Sequence, residues 1–169
     1  MSRAGDGKKL EAELGRALHH LGAWDYNSND PTPACDRIVH WEGHGILAEC
    51  KETRDGKLYF SRFTHNEMKQ MCWHAGLPNP RNPRDVDYPP EPRPPHGLTL
   101  VVVQHVTARP RTWVASWRDV LAMYGGVRKR LDFPATDSRW REVGSEARHG
   151  RQVLVLEPVL REMVEENLF

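Results

Sequence analysis

Residues 98–106 (LTLVVVQHV) form the most hydrophobic run of the chain and set the strongest constraint on its fold. Leucine and valine follow one another there without the polar alternation of a half-exposed strand. Such a run is typical of a strand that is covered on both faces. We therefore predict that residues 98–106 form a central strand of a sheet and that residues 111–115 form its partner.

Two helices are predicted in the first half of the chain. Apolar residues recur at helical spacing over residues 7–21, and Gly22 ends the pattern. Thr64 followed by Glu67 three residues later is a capping-box pattern, and Gly76 supplies a stop signal. Both segments have an apolar stripe that needs a sheet or another helix to pack against.

The C-terminal half carries weaker signals of the same kind. Ser116 begins a short helix that is predicted to run through Tyr124. Residues 152–156 are compatible with a strand, and Pro158 opens a closing helix that is predicted to reach about Asn167.

Length and composition restrict the class of protein. A chain of 169 residues is sufficient for one ordinary core, so we expect a single domain over residues 1–169. The formal net charge is +1, so any nucleic-acid surface must be local. Three cysteines without disulfide-type spacing, no apolar signal core and no long apolar segment favour a soluble, cytoplasmic protein.

Residues 78–95 are rich in proline and hold eight of the thirteen prolines of the chain. No packed element tolerates that density. We therefore predict an extended, polyproline-like insertion, whose arginines either contact phosphates or are simply solvated.

Residues 36–51 (DRIVHWEGHGILAECK) have the pattern of a β-hairpin. Apolar residues lie on either side of Glu42 and Gly43, and glycine tolerates the positive φ of a tight turn. If these two residues form the turn, Trp41 pairs with His44. The register of both strands is then fixed along their whole length.

Counting outward from that turn brings acidic residues together. Asp36 falls opposite Glu49, with the two side chains about 5 Å apart. Because side chains alternate along a strand, Lys51 shares the face of Glu49, whereas Cys50 points to the other face. The hairpin therefore predicts two carboxylates and one ammonium on one face.

This acidic face suggests metal chemistry. Two adjacent carboxylates raise each other's pKa unless a cation compensates them. Mg²⁺ binds through one or two carboxylates, keeps several waters and takes further ligands from substrate phosphates. Lys51 would then orient a water or neutralise developing charge. On these residues alone, a structural ion cluster at the end of a sheet remains an equal alternative.

A second region of interest is basic. Residues 128–151 contain seven Lys or Arg and four Asp or Glu. Trp140 between Arg139 and Arg141 offers a ring on which a base or sugar could stack. The alternative is a charged surface with one anchoring tryptophan.

In chain order these features resemble the PD-(D/E)xK nuclease superfamily. Within it, the chain is most similar to RecU-type Holliday junction resolvases, in a form without their stalk. The resemblance rests on four segments and spans roughly residues 7–76, continued by the strand at 98–106. They are residues 7–11 (GKKLE), 31–33 (PTP), 49–53 (ECKET) and 64–70 (THNEMKQ).

The resemblance implies a fold and roles for particular residues. The fold would be α/β with a restriction-endonuclease-like core, a central mixed β-sheet flanked by helices. Asp36 and Glu49 would bind the metal, Lys51 would position the nucleophilic water, and Glu11 and Gln70 would support the site. The family acts as a homodimer that cuts two strands symmetrically.

Two features of the chain depart from that family. RecU-type enzymes carry a long stalk between the proline-rich loop and the metal-binding aspartate. Here only Ala34 and Cys35 separate Pro33 from Asp36, and residues 78–95 look like an insertion. The resemblance therefore supports nuclease chemistry more strongly than junction specificity.

The sequence thus predicts a Mg²⁺-dependent DNA endonuclease, with Mn²⁺ as a substitute, that hydrolyses phosphodiesters with metal-activated water in a bacterial or phage-infected cell. A branched four-way junction is the expected substrate. The alternatives are a restriction- or repair-type endonuclease on duplex or flapped DNA, and a non-catalytic DNA-binding protein. The candidate DNA-binding residues are Lys8, Lys9, Arg128, Lys129, Arg130, Arg139 and Arg141.

Overall fold

The structure is a computed structural model and describes residues 6–25, 36–81 and 94–166. Its α-helices are α1 (Asp6–His20), α2 (His65–Ala75), α3 (Trp117–Tyr124) and α4 (Glu157–Glu165). Its strands are β1 (Trp24–Asp25), β2 (Arg37–Trp41), β3 (His44–Thr53), β4 (Lys57–Tyr59), β5 (Gly97–His105), β6 (Arg111–Ser116), β7 (Arg130–Asp132), β8 (Arg141–Arg148) and β9 (Arg151–Val155). A 3₁₀ turn, Phe60–Arg62, lies between β4 and α2.

Seven of these strands form one mixed sheet in the order β1-β2-β3-β5-β6-β8-β9. Strands β3 and β5 are parallel, and the other neighbouring pairs are antiparallel. A parallel pair requires a crossover connection, which here contains α2. Strands β4 and β7 form a separate two-stranded ribbon.

The hydrophobic run at β5 occupies the middle of the sheet, as predicted. Eight of its nine residues are buried. Leu98, Leu100 and Val102 pack into a core with α1 and α4, whereas Val101 and Val103 pack into a second core with α2 and α3. Because both faces are covered by helices, the prediction of an α/β fold with a mixed sheet flanked by helices is confirmed.

Helix boundaries follow the predicted signals closely. The Thr64 hydroxyl accepts from the Glu67 amide at 3.1 Å, and the Glu67 carboxylate accepts from the Thr64 amide at 2.8 Å, which completes the capping box of α2. Gly76 ends α2 in the left-handed conformation, and Gly125 does the same for α3 after its Ser116 cap. The pairing of β5 with β6 is also confirmed.

Some strands were not predicted. No element was predicted at residues 24–25, yet they pair with Val39 and His40 of β2. Strand β8 is exposed along most of its length and buries only Val143, so its sequence lacks the apolar alternation that identifies a strand. Strand β8 is instead stabilised by its backbone pairing with β6 and β9. Residues 82–93 of the predicted insertion and Asn167 lie outside the described residues.

Among the described residues, no helix combines the length and apolar character needed to cross a membrane.

Replacing Gly97 by alanine should destabilise the protein by at least about 2 kcal/mol, because overpacking a rigid contact is costly. A Cβ at this position would lie 2.1 Å from the carbonyl oxygen of Gly45, which is the partner of Gly97 in the β3–β5 pair. The backbone cannot move aside without breaking the pairing that positions the β3 side chains. Chemical denaturation of Gly97→Ala measures the loss.

Gly144→Ala is the matched control, because a Cβ on Gly144 in strand β8 meets nothing within 4 Å. Its free energy of unfolding should stay within about 0.5 kcal/mol of wild type. Equal unfolding midpoints for the two variants would contradict the close β3–β5 approach.

Candidate metal and catalytic site

The hairpin formed by β2 and β3 has the predicted turn and register. Glu42 and Gly43 both have positive φ, 45° and 84°, as a type I′ turn requires. Trp41 pairs with His44, and the pairing continues to Arg37 with Ala48. The next residue outward on each strand is Asp36 and Glu49, so the predicted opposition of these two carboxyl groups agrees with the register.

Asp36 lies at the start of β2 and is half-buried. Its Oδ2 accepts a hydrogen bond from the Cys50 amide at 2.7 Å. Burial raises the pKa of the Asp36 carboxyl, the Cys50 amide lowers it, and the charge of Glu11 raises it further. Among the described residues, its second oxygen forms no hydrogen bond, which leaves that oxygen for a ligand.

Glu49 and Lys51 share one face of β3, as predicted. Only 3% of Glu49 and 8% of Lys51 is exposed. Lys51 Nζ lies 2.7 Å from Glu49 Oε1 and 3.0 Å from Glu67 Oε2 on α2. It also lies 5.3 Å from the centre of the Phe63 ring, which covers the ammonium from one side. One ammonium is therefore shared by two carboxyl groups.

The electrostatics of this face show a shortage of positive charge. Burial raises the pKa of Glu49 to about 9, and the neighbouring ammonium of Lys51 only partly opposes that effect. Burial lowers the pKa of Lys51, but Glu49 and Glu67 outweigh it and keep the pKa above its ordinary value. Near neutral pH the Glu49 carboxyl therefore holds a proton unless a further cation approaches.

Glu11 and Gln70, the predicted supporting residues, lie on helices α1 and α2, which pack on opposite faces of the sheet. Glu11 is half-buried on α1, and its charge contributes to the raised pKa of Asp36. Gln70 is half-buried on α2, one helical turn after Glu67 and on the same side of the helix. Among the described residues, no hydrogen bond joins the Gln70 side chain to the carboxyl groups or to Lys51.

Glu67 is the site residue that the sequence interpretation missed. Its position three residues after Thr64 was explained fully by the capping box. The same carboxylate also reaches Lys51, because the cap places the start of α2 beside the end of β3. No sequence spacing signals this second contact, because it joins two separate elements.

Glu67→Gln should isolate that second contact, because glutamine also serves in a capping box. We expect a loss of about 1 kcal/mol in the free energy of unfolding, since the variant loses a partly buried charged hydrogen bond. Glu67→Ala also removes the carboxylate half of the capping box, which accepts from the Thr64 amide, and should cost about 1 kcal/mol more. Thermal denaturation compares the two variants, and wild-type stability in Glu67→Gln would contradict a contribution from the Lys51 contact.

The donor set suits a hard cation. In the described part of the chain, no three His, Cys, Asp or Glu side chains form a ready-made metal cluster. Mg²⁺ does not require one, because it takes one or two carboxylates and completes its octahedron with waters and phosphate oxygens. Asp36 and Glu49 could supply those carboxylates, because the register of β2 and β3 puts them opposite each other on neighbouring strands.

The predicted stacking role of Trp140 is wrong. The indole is only 6% exposed and packs edge-on against Phe133, with ring centres 5.2 Å apart. It belongs to the core that α2 and α3 form on the sheet. The tryptophan is therefore an anchor of a charged surface, which was the alternative interpretation.

The candidate DNA-binding residues fall into two groups. Arg139 pairs with Asp137 at 2.7 Å, and Arg141 pairs with Glu162 and Glu166 on α4. Their charges are therefore largely compensated within the protein. The residues that remain exposed are Lys9, Arg128, Lys129 and Arg130, the last with a 3.4 Å contact to Asp132, and the side chain of Lys8 lies outside the described residues.

Comparison with known protein families found no family model that matches this chain, and comparison with curated proteins found no match. The interpretation of the site therefore rests on its own geometry and chemistry.

Proposed function

We propose that this protein is a Mg²⁺-dependent DNA endonuclease whose active site is the face that carries Asp36, Glu49 and Lys51. One observation carries the proposal: Asp36 and Glu49 come opposite each other in the register of paired strands, and Glu49 contacts the buried ammonium of Lys51 at 2.7 Å. Burial raises the pKa of both carboxyl groups, an effect that a bound cation would offset. Perturbed groups of this kind concentrate at functional sites.

The fold supports the same proposal. A metal-binding aspartate at the start of one strand and an E-x-K pair on the next, in a mixed sheet flanked by helices, is the arrangement implied by the resemblance to PD-(D/E)xK nucleases. We propose on this basis that the core is restriction-endonuclease-like. Helix α1 with Glu11 and helix α2 with Gln70 lie on either side of the sheet.

The chemistry assigns a role to each group. A Mg²⁺ ion held by Asp36 and Glu49 would neutralise charge on the scissile phosphate and lower the pKa of a water molecule. Lys51 Nζ donates hydrogen bonds toward the attacking water or the phosphate oxygens. Glu67 restricts the ammonium by holding it from the α2 side at 3.0 Å. Lys51 is thus oriented before substrate binds, which lowers the cost of reorganisation during the reaction.

A cation held by Asp36 and Glu49 would change the protonation of Glu49. Burial raises the pKa of this carboxyl group to about 9, and Lys51 only partly opposes the effect. The charge of the cation would favour the carboxylate form, and the proton would pass to solvent. Metal binding and proton release would therefore be coupled at this residue.

We propose branched DNA, in particular the four-way junction, as the substrate, and a homodimer as the form that makes paired cuts. Both follow from the resemblance to RecU-type resolvases. The short connection of two residues between Pro33 and Asp36 favours a second candidate, a restriction- or repair-type nuclease that acts on duplex or flapped DNA.

A substrate panel tests the proposal. Purified protein is incubated with four-way, flapped, duplex and single-stranded DNA in Mg²⁺ or Mn²⁺. Paired symmetric nicks in the junction are the expected result, whereas preferential cleavage of duplex or flapped DNA would select the second candidate. Absence of cleavage on all four substrates, with both metals, would reject nuclease activity and leave a DNA-binding protein.

A further inference from the structure

A basic groove lies along α1, away from the metal-site face. It has a volume of about 360 Å³ and is lined by Ala12, Gly15, Arg16, His19, His20 and Arg37. Two arginines and two histidines therefore line one concave surface. The two arginines bring a local positive charge, whereas the net charge of the whole chain is only +1.

Gly15 gives the groove its floor. Arg37 Nη2 donates to the Glu11 carbonyl at 3.3 Å, so the guanidinium lies against the backbone of α1. A Cβ on residue 15 would lie 2.7 Å from Nη2 and 2.8 Å from Cζ of Arg37. A helix is less stable with glycine than with alanine at an internal position. Gly15 therefore lowers the stability of α1 at the position where the Arg37 guanidinium packs.

Arg16 provides the second charge. Among the residues that the structure describes, its buried Nε has no hydrogen-bond partner. Buried N–H groups in proteins are normally paired, so this one points to a partner such as an anion or an ordered water. A guanidinium beside a second guanidinium favours an anion that accepts several hydrogen bonds.

The groove and the candidate metal site adjoin the same end of β2. Asp36 and Arg37 are consecutive, and alternation along the strand sends their side chains to opposite faces of the sheet. Strand β1 pairs with Val39 and His40, so the Arg37 end of β2 lies beyond that pairing. The Asp36 carboxyl and the groove therefore lie on opposite faces of the sheet at the same end of β2, and a nucleic acid that reaches both must pass around that end.

We propose that this groove binds a phosphate group of the nucleic-acid backbone, with Arg16 and Arg37 as the principal contacts and the two histidines at its rim. The inference rests on the proposed function in taking DNA as the ligand. The groove would take part in binding DNA and not in cleaving it, because the guanidinium groups lie on the other side of the sheet from Lys51.

The test measures DNA affinity separately from cleavage. Fluorescence anisotropy with labelled four-way and duplex DNA is carried out in EDTA at several salt concentrations. Each phosphate contact contributes about 0.9 to the slope of log affinity against log salt. The double variant Arg16→Ala/Arg37→Ala should bind at least about tenfold more weakly at low salt and, because one phosphate is lost, lower that slope by about 0.9.

Two further variants separate binding from folding. Gly15→Ala should displace the Arg37 guanidinium and weaken binding about threefold, the effect of losing part of one phosphate contact. Its thermal stability should equal or exceed that of wild type, because alanine favours the helix. Arg161→Ala removes an exposed arginine from α4, whose charge Glu42 and Glu157 already compensate, and should leave affinity unchanged.

Competition with inorganic phosphate tests whether the groove recognises phosphate as such or only as part of the DNA backbone. It should compete with DNA for the wild-type protein and compete less well for the double variant. The proposal would be overturned if the double variant bound DNA as tightly as the wild-type protein, even if inorganic phosphate binds the groove. It would also be overturned if the wild-type protein did not bind DNA.

The groove proposal and the nuclease proposal can fail separately in these experiments. Groove variants that lose DNA affinity in a protein that cuts no substrate would support the groove and reject the nuclease. Normal affinity in groove variants of an active enzyme would reject the groove and retain the nuclease.

Discussion

Replacing Glu49 by glutamine is expected to reduce Mg²⁺-dependent DNA cleavage by at least about 10³-fold, the scale on which removal of one key electrostatic group acts. The amide has nearly the same size and can still accept a hydrogen bond from Lys51, so the fold should be retained. It lacks the charge that a cation requires. Single-turnover cleavage of a labelled junction measures the effect on the chemical step.

Glu142→Gln is the matched control for this variant. Glu142 is an exposed carboxylate on β8 that pairs with Arg111 at 2.8 Å, far from the Asp36 face in the strand order. The same chemical change there should leave the cleavage rate unaltered. Wild-type cleavage by Glu49→Gln would remove Glu49 from the proposed mechanism.

Replacing Lys51 by methionine is expected to destabilise the protein by about 3 kcal/mol at alkaline pH, because removal of one partner leaves buried charge uncompensated. Methionine fills a similar volume, so lost packing contributes little. Glu49 and Glu67 then share a buried space without their common ammonium. Chemical denaturation across a range of pH values measures the loss.

The pH dependence of that loss follows from Glu49. Its folded-state pKa of about 9 lies above its ordinary value of 4.5, so the folded state binds a proton more tightly than the unfolded state between these values. In metal-free buffer, stability therefore falls as pH rises from about 4.5 to about 9. The raised pKa of Lys51 adds no slope in that window, because Lys51 stays charged in both states.

Loss of Lys51 removes the charge that lowers the pKa of Glu49, so the stability of Lys51→Met should go on falling above pH 9, where the contribution of Glu49 to the wild-type protein levels off. Lys9→Met, at an exposed position on α1, should match wild type within about 0.5 kcal/mol. A stability loss in Lys51→Met that is the same at every pH would contradict the assigned electrostatics.

The parts of the structure that were predictable are those that local chemistry determines. The glutamate–glycine turn, together with strand alternation, was sufficient to place Asp36 opposite Glu49 and to put Lys51 on the same face. The apolar run at β5 could be assigned to the middle of the sheet because no partly exposed strand has that composition.

The remaining features depend on contacts between distant segments. Glu67 reaches Lys51, and Arg37 lies on Gly15, only because the sheet brings separate elements together. Trp140 looked available for stacking because its neighbours are arginines. Those arginines are paired with acidic residues, and the indole turns into the core.

Titration calorimetry with Mn²⁺ is the direct test of a metal centre at Asp36 and Glu49. The titration is repeated at neutral pH in two buffers that differ in their enthalpy of ionisation. We expect one binding site and release of nearly one proton per ion, because the pKa of Glu49 is about 9 before a cation binds. Both signals should disappear in Asp36→Asn and in Glu49→Gln. Mn²⁺ binding that survives both substitutions, or no binding to the wild-type protein, would contradict a metal centre on this face.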